Sequence, residues 1–264
     1  MVPQRSTGVV VLTGAAGGVA RQLLPGIAEC WPLRLTDRLP VPAVASAEAR
    51  IGELTDPDFV DSLLAGADAV VHLAGNPDPG ATWEQLYEPN IVVPTTLLEA
   101  AGRRGVRRVV LASSAHATGQ RAATPDAPLS PAGAPAPCCR YGATKVLVEA
   151  AAAAAHWAHG QSIICLRLGA VLPEPPSAEA LAGWLGPADL QQLVTRSVEA
   201  EEVGFAVYYG ISANTRSYFD ISNVTREIGY RPILDAEMYA DRVPSGVSYG
   251  LCPSVSQLAP RHRH

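Results

Sequence analysis

The sequence lacks any apolar run of the roughly 18 residues needed to cross a bilayer, although its hydrophobic fraction is 48%. It also lacks a basic stripe and a polybasic amphipathic helix, and its formal net charge is −5. We therefore expect neither a nucleic-acid partner nor a membrane partner. No signal-peptide pattern opens the chain, which favours a cytoplasmic location.

Cysteine is scarce, and its spacing matches neither a disulfide framework nor a CxxC motif. The five cysteines are Cys30, Cys138, Cys139, Cys165 and Cys252. An odd number without paired spacing favours reduced thiols in the cytoplasm, and the adjacent pair would form only a strained bridge. His156 and His159 lie on one predicted helix without a third ligand in view, so we expect no metal site.

Apolar runs of strand length alternate with helical patterns along the 264 residues. The predicted strands are Gly8–Thr13, Leu33–Thr36, Ala49–Ile51, Ala69–Ala74, Arg108–Ser113, Ser162–Leu168 and Phe205–Tyr209. The predicted helices cover 17–29, 57–65, 83–103, 141–158, 187–200 and 222–229. This alternation predicts an α/β fold with a Rossmann-type, doubly wound parallel sheet.

A glycine-rich turn, Thr13–Ala20, follows the first strand and opens a helix. Gly14 permits a tight reversal, and Gly17 lets a pyrophosphate approach the helix N-terminus. Alone, the motif is equally well explained as an ordinary turn. Asp37 ends the second strand where a ribose diol would be held, which favours NAD over NADP, whereas Arg38 could accept a 2′-phosphate.

Predicted cofactor contacts lie in this turn and at the ends of the next strands. They are Gly14, Ala16, Gly17, Gly18, Val19, Asp37, Arg38, Glu53, Leu54, Leu73, Ala74 and Gly75. The sequence thus predicts an NAD-binding domain over 1–168, a small substrate-side cap with the last sheet elements over 169–243, and a flexible tail over 244–264. The proline-rich stretch from Thr124 to Pro137 predicts a loop.

Tyr141 and Lys145 lie one turn apart on a predicted helix. A phenol ordinarily has a pKa of about 10. A nearby ammonium and an oxidised nicotinamide would lower that pKa. Ser113 and Ser114 end the fifth strand, and either hydroxyl can orient a substrate oxygen. A surface tyrosine with a solvated lysine is the alternative. The order of the glycine turn, Asp37 and the two serines argues against it.

Together these motifs resemble the extended short-chain dehydrogenase/reductase family, also called the NAD-dependent epimerase/dehydratase family, and within it the uronate dehydrogenase-like group. The resemblance extends from Val9 to Tyr239. It rests on Thr13–Gly17, Asp37, Leu54–Asp56, Val71–Gly75, Asn90–Ile91, Ala112–Ser114, Tyr141–Lys145, Leu172–Pro175, Trp184 and Tyr209–Asn214.

The resemblance implies roles for four residues. Ser114 would orient the substrate hydroxyl and Tyr141 would be the acid/base. Lys145 would bind the nicotinamide ribose and tune Tyr141, and Asn90 would support the network around Lys145. Asn90, Tyr141 and Lys145 thereby join the predicted cofactor contacts.

The predicted substrate contacts depart from the uronate dehydrogenase-like pattern. That group holds the sugar carboxylate with an arginine, at or near whose place this chain has Glu179. Ala115 and Ala170 replace a polar amide and a serine. These changes favour a less polar or cationic substrate over a free uronate. The full candidate set is Asn76, Ser113, Ala115, His116, Ala170, Glu179, Trp184 and Arg216.

The sequence therefore predicts an NAD-dependent oxidoreductase acting on a hydroxyl or ketone of a small cyclic, sugar-like substrate. An epimerase or dehydratase that oxidises transiently and retains NAD is one alternative. The region after about residue 170 is short for gripping a sugar nucleotide. A non-catalytic NAD-binding protein is another alternative, against which Tyr141 and Lys145 argue. We expect a small-molecule substrate and allow for a homo-oligomer such as a dimer.

Overall fold

A computed structural model describes residues 8–45, 47–121 and 127–244. Within these ranges seven parallel strands form one sheet, in the order β3-β2-β1-β4-β5-β6-β9. The strands are β1 (Val9–Thr13), β2 (Leu33–Asp37), β3 (Glu48–Ile51), β4 (Ala67–His72), β5 (Arg108–Ser114), β6 (Ser162–Leu168) and β9 (Phe205–Gly210). A separate parallel pair consists of β7 (Ala170–Val171) and β8 (Trp184–Leu185). The predicted fold class is confirmed.

Helices cover both faces of the sheet. They are α1 (Gly18–Ile27), α2 (Pro57–Leu64), α3 (Trp83–Tyr87), α4 (Val93–Arg103), α5 (Arg140–His159), α6 (Pro187–Glu199) and α7 (Ser222–Ile228). Turns of 3₁₀-helix occupy Ala115–Thr118, Glu179–Ala182 and Ala236–Tyr239. The order of the strands reverses between β1 and β4, which opens a crevice at their carboxyl ends.

The helix predicted over 83–103 is not continuous. A π-helical turn, Glu88–Val92, separates α3 from α4. Pro89 and Pro94 lie in or beside this turn, and neither has an N–H to donate to an α-helical ladder. The wider turn places the buried side chain of Asn90 towards the end of β4, where it bonds Asn76.

The central strands are apolar on both faces because each face packs against helices. On β1, Val10 and Leu12 belong to the core shared with α1 and α6, whereas Val11 belongs to the core shared with α2, α4 and α5. This explains the unbroken apolar run at the start of the chain. No helix within the described ranges is long and apolar enough to span a bilayer.

A small cap stands over the carboxyl ends of the strands. It contains β7, β8 and the turn Glu179–Ala182, after which α6 and β9 return to the main sheet. Residues 127–137 contain no helix, as the prolines predict, and Leu129 pairs with Phe219. Residues 122–126 of that loop, and the predicted tail beyond Pro244, lie outside the described residues.

Candidate active site

Two adjoining cavities lie along the crevice at the carboxyl ends of the strands. The first, of about 710 Å³, lies beside the β1–α1 turn and is called the nucleotide cavity. The second, of about 460 Å³, lies beside α5 and is called the reaction cavity. Both are lined by the segment after β4, which contributes Leu73, Gly75, Asn76 and Pro77. An elongated ligand can therefore lie across both, and both volumes are within the roughly 300–1,000 Å³ usual for ligand sites.

The nucleotide cavity begins at a turn that only glycine fits. Gly14 has a φ of +69°, and a Cβ there would lie 2.6 Å from the backbone nitrogen of Ala74. The turn is thus packed directly on the end of β4. Gly17 caps α1, so the first N–H groups of that helix have no helical partners and favour an anion.

Asp37 is held in place at the end of β2 by two backbone groups. Its Oδ2 accepts a hydrogen bond of 3.0 Å from Ala16 N, and its Oδ1 accepts one of 3.1 Å from Leu39 N. The carboxylate joins the glycine turn to the second strand and lines the nucleotide cavity. The position of the carboxylate fits the ribose diol of NAD. Its negative charge disfavours the 2′-phosphate of NADP.

The predicted cofactor contacts divide between the cavities. The nucleotide cavity is lined by Gly14, Ala16, Gly17, Asp37, Arg38, Glu53, Leu54 and Ala74, together with the shared Leu73 and Gly75. Val19, Tyr141 and Lys145 line the reaction cavity. Gly18 and Asn90 line neither of the two.

Asn90 links two segments that line the cavities through hydrogen bonds of its side chain. Its side-chain Oδ1 accepts a hydrogen bond of 2.7 Å from Asn76 N, and its Nδ2 donates to Asn76 O at 3.0 Å. Nδ2 also lies 3.3 Å from the hydroxyl of Thr144, the neighbour of Lys145 on α5. Asn90 therefore connects the segment after β4 with the helix that bears the candidate acid/base.

Lys145 is buried below Tyr141 on the same face of α5. Its Nζ donates a hydrogen bond of 2.8 Å to Ala112 O and lies 5.4 Å from the centroid of the Tyr141 ring. Burial lowers the pKa of Lys145 to about 8, against the opposing effect of Cys165 and Glu149. The ammonium is thus the prevailing form at neutral pH and loses its proton around pH 8.

Burial dominates the electrostatic environment of Tyr141. Burial raises the pKa of its phenol above the ordinary value, while a hydrogen bond with Ser114 lowers it and the neighbouring Cys139 raises it. Desolvation of the phenolate is the largest of these effects. The lowering expected from an ammonium together with an oxidised nicotinamide stays a prediction. The phenol is the prevailing form at neutral pH.

Close packing brings Ser114 to Tyr141. A Cβ on Gly142 would lie 2.4 Å from the backbone oxygen of His116, so the start of α5 rests directly on the 3₁₀ turn after β5. Ser114 Oγ caps that turn by accepting a hydrogen bond of 3.2 Å from His116 N. The geometry places a hydroxyl and a phenol side by side in the reaction cavity.

Ser113 has a different environment from its neighbour. Its hydroxyl donates to Glu149 Oε1 at 2.5 Å, and Arg167 donates to both oxygens of the same carboxylate, at 2.9 and 2.8 Å. Both charged side chains are buried, so each compensates the desolvation of the other. Sequence reasoning missed Glu149, although it lies on the same helix face as Lys145.

The substrate candidates also divide. Asn76, Ser113, Ala115, His116, Ala170 and Glu179 line the reaction cavity. Trp184 does not: it is 1% exposed, donates to Leu172 O at 2.8 Å and packs against Tyr239. Arg216 does not either, and instead pairs with Glu237 at 2.7 Å on the surface. The structure therefore places these two outside the cavity that holds the others.

One cluster beside the reaction cavity was not anticipated. His116 Nδ1 lies 3.3 Å from Cys138 Sγ and 3.4 Å from Cys139 Sγ. Cys139 also caps α5, since its sulfur accepts a hydrogen bond of 3.3 Å from Gly142 N. The adjacent cysteines are the only sequence signal for this cluster. His116 joins them only through the packing of α5 on the 3₁₀ turn.

Comparisons with known proteins identify the family of the chain. The model of the NAD dependent epimerase/dehydratase family matches residues 10–180, and the chain belongs to that family. NAD-dependent glucose-6-phosphate dehydrogenase of Haloferax volcanii is 32% identical over 242 residues, which cover 84% of this chain and 92% of the relative. L-arabinose 1-dehydrogenase (NAD(P)(+)) of the same organism is 32% identical over 249 residues, with 84% and 95% covered.

A solved structure of a uronate dehydrogenase mutant from Agrobacterium tumefaciens, complexed with NAD, has the same fold. It superposes with a TM-score of 0.82 at 30% identity, and the match covers 90% of this chain and 89% of that one. The resemblance inferred from the motifs is confirmed, and so is the cofactor. This protein is an NAD-dependent oxidoreductase.

Proposed function

We propose that the enzyme oxidises a hydroxyl group of a small cyclic sugar that carries no carboxylate, with NAD as the hydride acceptor. The observation that carries this proposal is the carboxylate of Glu179 in the lining of the reaction cavity. No arginine is among the described residues that line it, and its lysine, Lys145, lies beside Tyr141 and donates to Ala112 O. An anionic uronate would meet a carboxylate where it needs a cation.

The groups available for chemistry favour alcohol oxidation. Tyr141, as its phenolate, accepts the hydroxyl proton, and Ser114 holds the oxygen from which that proton leaves. Lys145 stabilises the phenolate with its charge. NAD, when bound, supplies the acceptor for the hydride that leaves the same carbon, so the alcohol becomes a carbonyl.

The relatives support a sugar as substrate and show that the choice of sugar varies. Their names specify glucose-6-phosphate and L-arabinose, and the solved neighbour is a uronate dehydrogenase. These sugars differ in charge while the cofactor remains the same. Ala115 and Ala170 line the reaction cavity where the uronate dehydrogenase-like pattern has a polar amide and a serine, which further argues against a uronate.

A matched panel tests the proposal. Galactose, galacturonate and galactosamine share one ring and differ in charge, and NADH formation reports turnover. We expect kcat/KM for the neutral or cationic sugar to exceed that for the uronate by at least about tenfold, or 1.4 kcal/mol. Glu179→Gln should narrow this ratio and Glu179→Arg should narrow it further. Preferred turnover of galacturonate by the parent enzyme would overturn the proposal.

The proposal also covers the oligomeric state of the enzyme and its location in the cell. We further propose a homo-oligomer such as a dimer, for which the exposed apolar side chains Leu147 and Trp157 on α5, 42% and 83% exposed, are candidate contacts. Light scattering of the parent and of Trp157→Glu tests this, with dissociation of the variant expected and an unchanged mass contradicting it. The cysteine pattern supports the reducing cytoplasm as its location.

A further inference from the structure

The side chains of His116, Cys138 and Cys139 converge on one point beside the reaction cavity. The three donor atoms lie within 4.8 Å of one another. Specifically, the sulfur atoms are 4.0 Å apart, and Nδ1 of the imidazole lies 3.3 Å from one and 3.4 Å from the other. The three donor atoms form a triangle. His116 lies in the turn after β5, and Cys138 and Cys139 lie immediately before α5.

These separations are close to those around a tetrahedral zinc ion. With Zn–S bonds of about 2.3 Å and Zn–N bonds of about 2.0–2.1 Å, two sulfurs lie about 3.8 Å apart and a sulfur and a nitrogen about 3.5 Å apart. The observed distances differ from these by only a few tenths of an ångström. Thiolate and imidazole are also the ligands that suit zinc best.

We propose that His116, Cys138 and Cys139 form a binding site for one thiophilic divalent cation of the zinc type. The cation replaces the hydrogen bonds within the triangle, and each thiol releases its proton as its sulfur coordinates the metal. Three protein ligands leave the fourth position to water. The expectation of no metal site rested on His156 and His159, near the end of α5, and on cysteine spacing, and it did not bring His116 together with the adjacent cysteines.

The surroundings suit a metal ligand set. Gly142 N donates to Cys139 Sγ, a contact of the kind that orients a ligand from outside the first coordination sphere. His116 lines the reaction cavity and is half-buried, which gives a cation a route of entry. The imidazole ring also contacts the Tyr141 ring edge-on, with 5.5 Å between centroids.

Metal binding at this site would affect Tyr141, the proposed acid/base. Cys139 lies two residues before Tyr141, and His116 lies two residues after Ser114. A cation that fixes both ligands restrains the phenol and the hydroxyl, so we expect zinc to inhibit the dehydrogenase. This consequence rests on the proposed function, whereas binding itself does not.

Cobalt(II) is the probe for binding, because a tetrahedral cobalt–thiolate site absorbs visibly and zinc displaces the cobalt. The full chain is used with His262→Ala and His264→Ala, so that the two terminal histidines cannot bind metal. Under anaerobic conditions with a phosphine reductant, we expect one equivalent to give a sulfur-to-cobalt charge-transfer band. Cys138→Ser and Cys139→Ser should each weaken binding by at least about tenfold.

Cys30→Ser is the matched control, since this cysteine lies at the end of α1, away from the cluster. It should bind cobalt as the parent does. Circular dichroism and NAD binding establish that each serine variant is folded. Absence of a thiolate band, or an equal band in the Cys138→Ser and Cys139→Ser variants, would overturn the site. If zinc inhibits the parent but not Cys138→Ser, the result supports an effect of the metal site on catalysis. Equal rates of NADH formation by the parent with and without zinc would contradict that effect.

Discussion

The hydroxyl of Ser113 donates a hydrogen bond of 2.5 Å to the carboxylate of Glu149, on the helix that also bears Tyr141 and Lys145. This bond separates the roles of two adjacent serines. Ser113 completes a buried ion pair between α5 and β6, while Ser114 lies beside the phenol of Tyr141. Position at the end of β5 left either hydroxyl able to orient a substrate oxygen and the resemblance implied Ser114, whereas the structure gives the two serines different partners.

Removing each hydroxyl should therefore give different losses. Ser114→Ala should lower kcat by about 10²-fold, since the substrate oxygen loses an oriented donor in the transition state. Ser113→Ala should chiefly lower the free energy of unfolding, by about 1–3 kcal/mol, since Glu149 loses a buried partner. Steady-state rates and urea unfolding of both variants measure this. A larger kcat loss in Ser113→Ala than in Ser114→Ala would contradict the assignment.

Gly142 is predicted to set the distance between α5 and the turn that carries His116. A methyl group at this position would meet a backbone oxygen, so Gly142→Ala must push the start of the helix away and displace Tyr141. We expect kcat to fall at least about tenfold and stability to fall by about 1–3 kcal/mol.

Gly18→Ala is the control for this substitution, because a Cβ there meets nothing within 4 Å and the residue is likewise in the first turn of a helix. It should keep the stability of the parent. Equal unfolding free energies of the two alanine variants would show that the close approach at Gly142 does not matter.

Asp37 should determine the choice between the two nicotinamide cofactors. Asp37→Ala removes the charge that repels a 2′-phosphate and leaves Arg38 in the same cavity. The ratio of kcat/KM with NAD to that with NADP should fall by at least about tenfold. Asp56→Ala removes the carboxylate that caps α2 and should leave the ratio as it is. An unchanged ratio in Asp37→Ala would contradict the role given to this carboxylate.

The pH dependence follows from the two buried groups on α5. Burial raises the pKa of Tyr141, so the base form is the minor form at neutral pH, and oxidation should accelerate as pH rises. The pKa of Lys145 is lowered to about 8, and loss of its charge above that pH should flatten the rise. Profiles of kcat/KM from about pH 6 to about pH 10 test this. A rate that falls steadily with pH would contradict it.

Much of this organisation could be predicted from local patterns. Parallel strands that are buried on both faces read as unbroken apolar runs, and the glycine turn and Asp37 follow strand ends in the expected order. Tyr141 and Lys145 share a helix face because of their spacing alone. Each of these features depends on a short stretch of chain.

Other features depend on contacts between distant segments. The hydroxyl of Ser113 donates to Glu149 on α5, and Glu149 is paired in turn with Arg167 on β6. Trp184 is buried because residues near Tyr239 fold back over it. Since spacing along the chain reports neither burial nor partners, the sequence left both residues among the substrate candidates.

The measurement that most directly tests the catalytic account is NADH formation by Tyr141→Phe beside the parent, with the sugar the parent oxidises best. Removing one hydroxyl leaves the ring that packs against His116. We predict that kcat falls by about 10²–10⁴-fold while NAD affinity and the unfolding midpoint remain those of the parent. A variant that forms NADH as fast as the parent would contradict the assignment of Tyr141 as the acid/base.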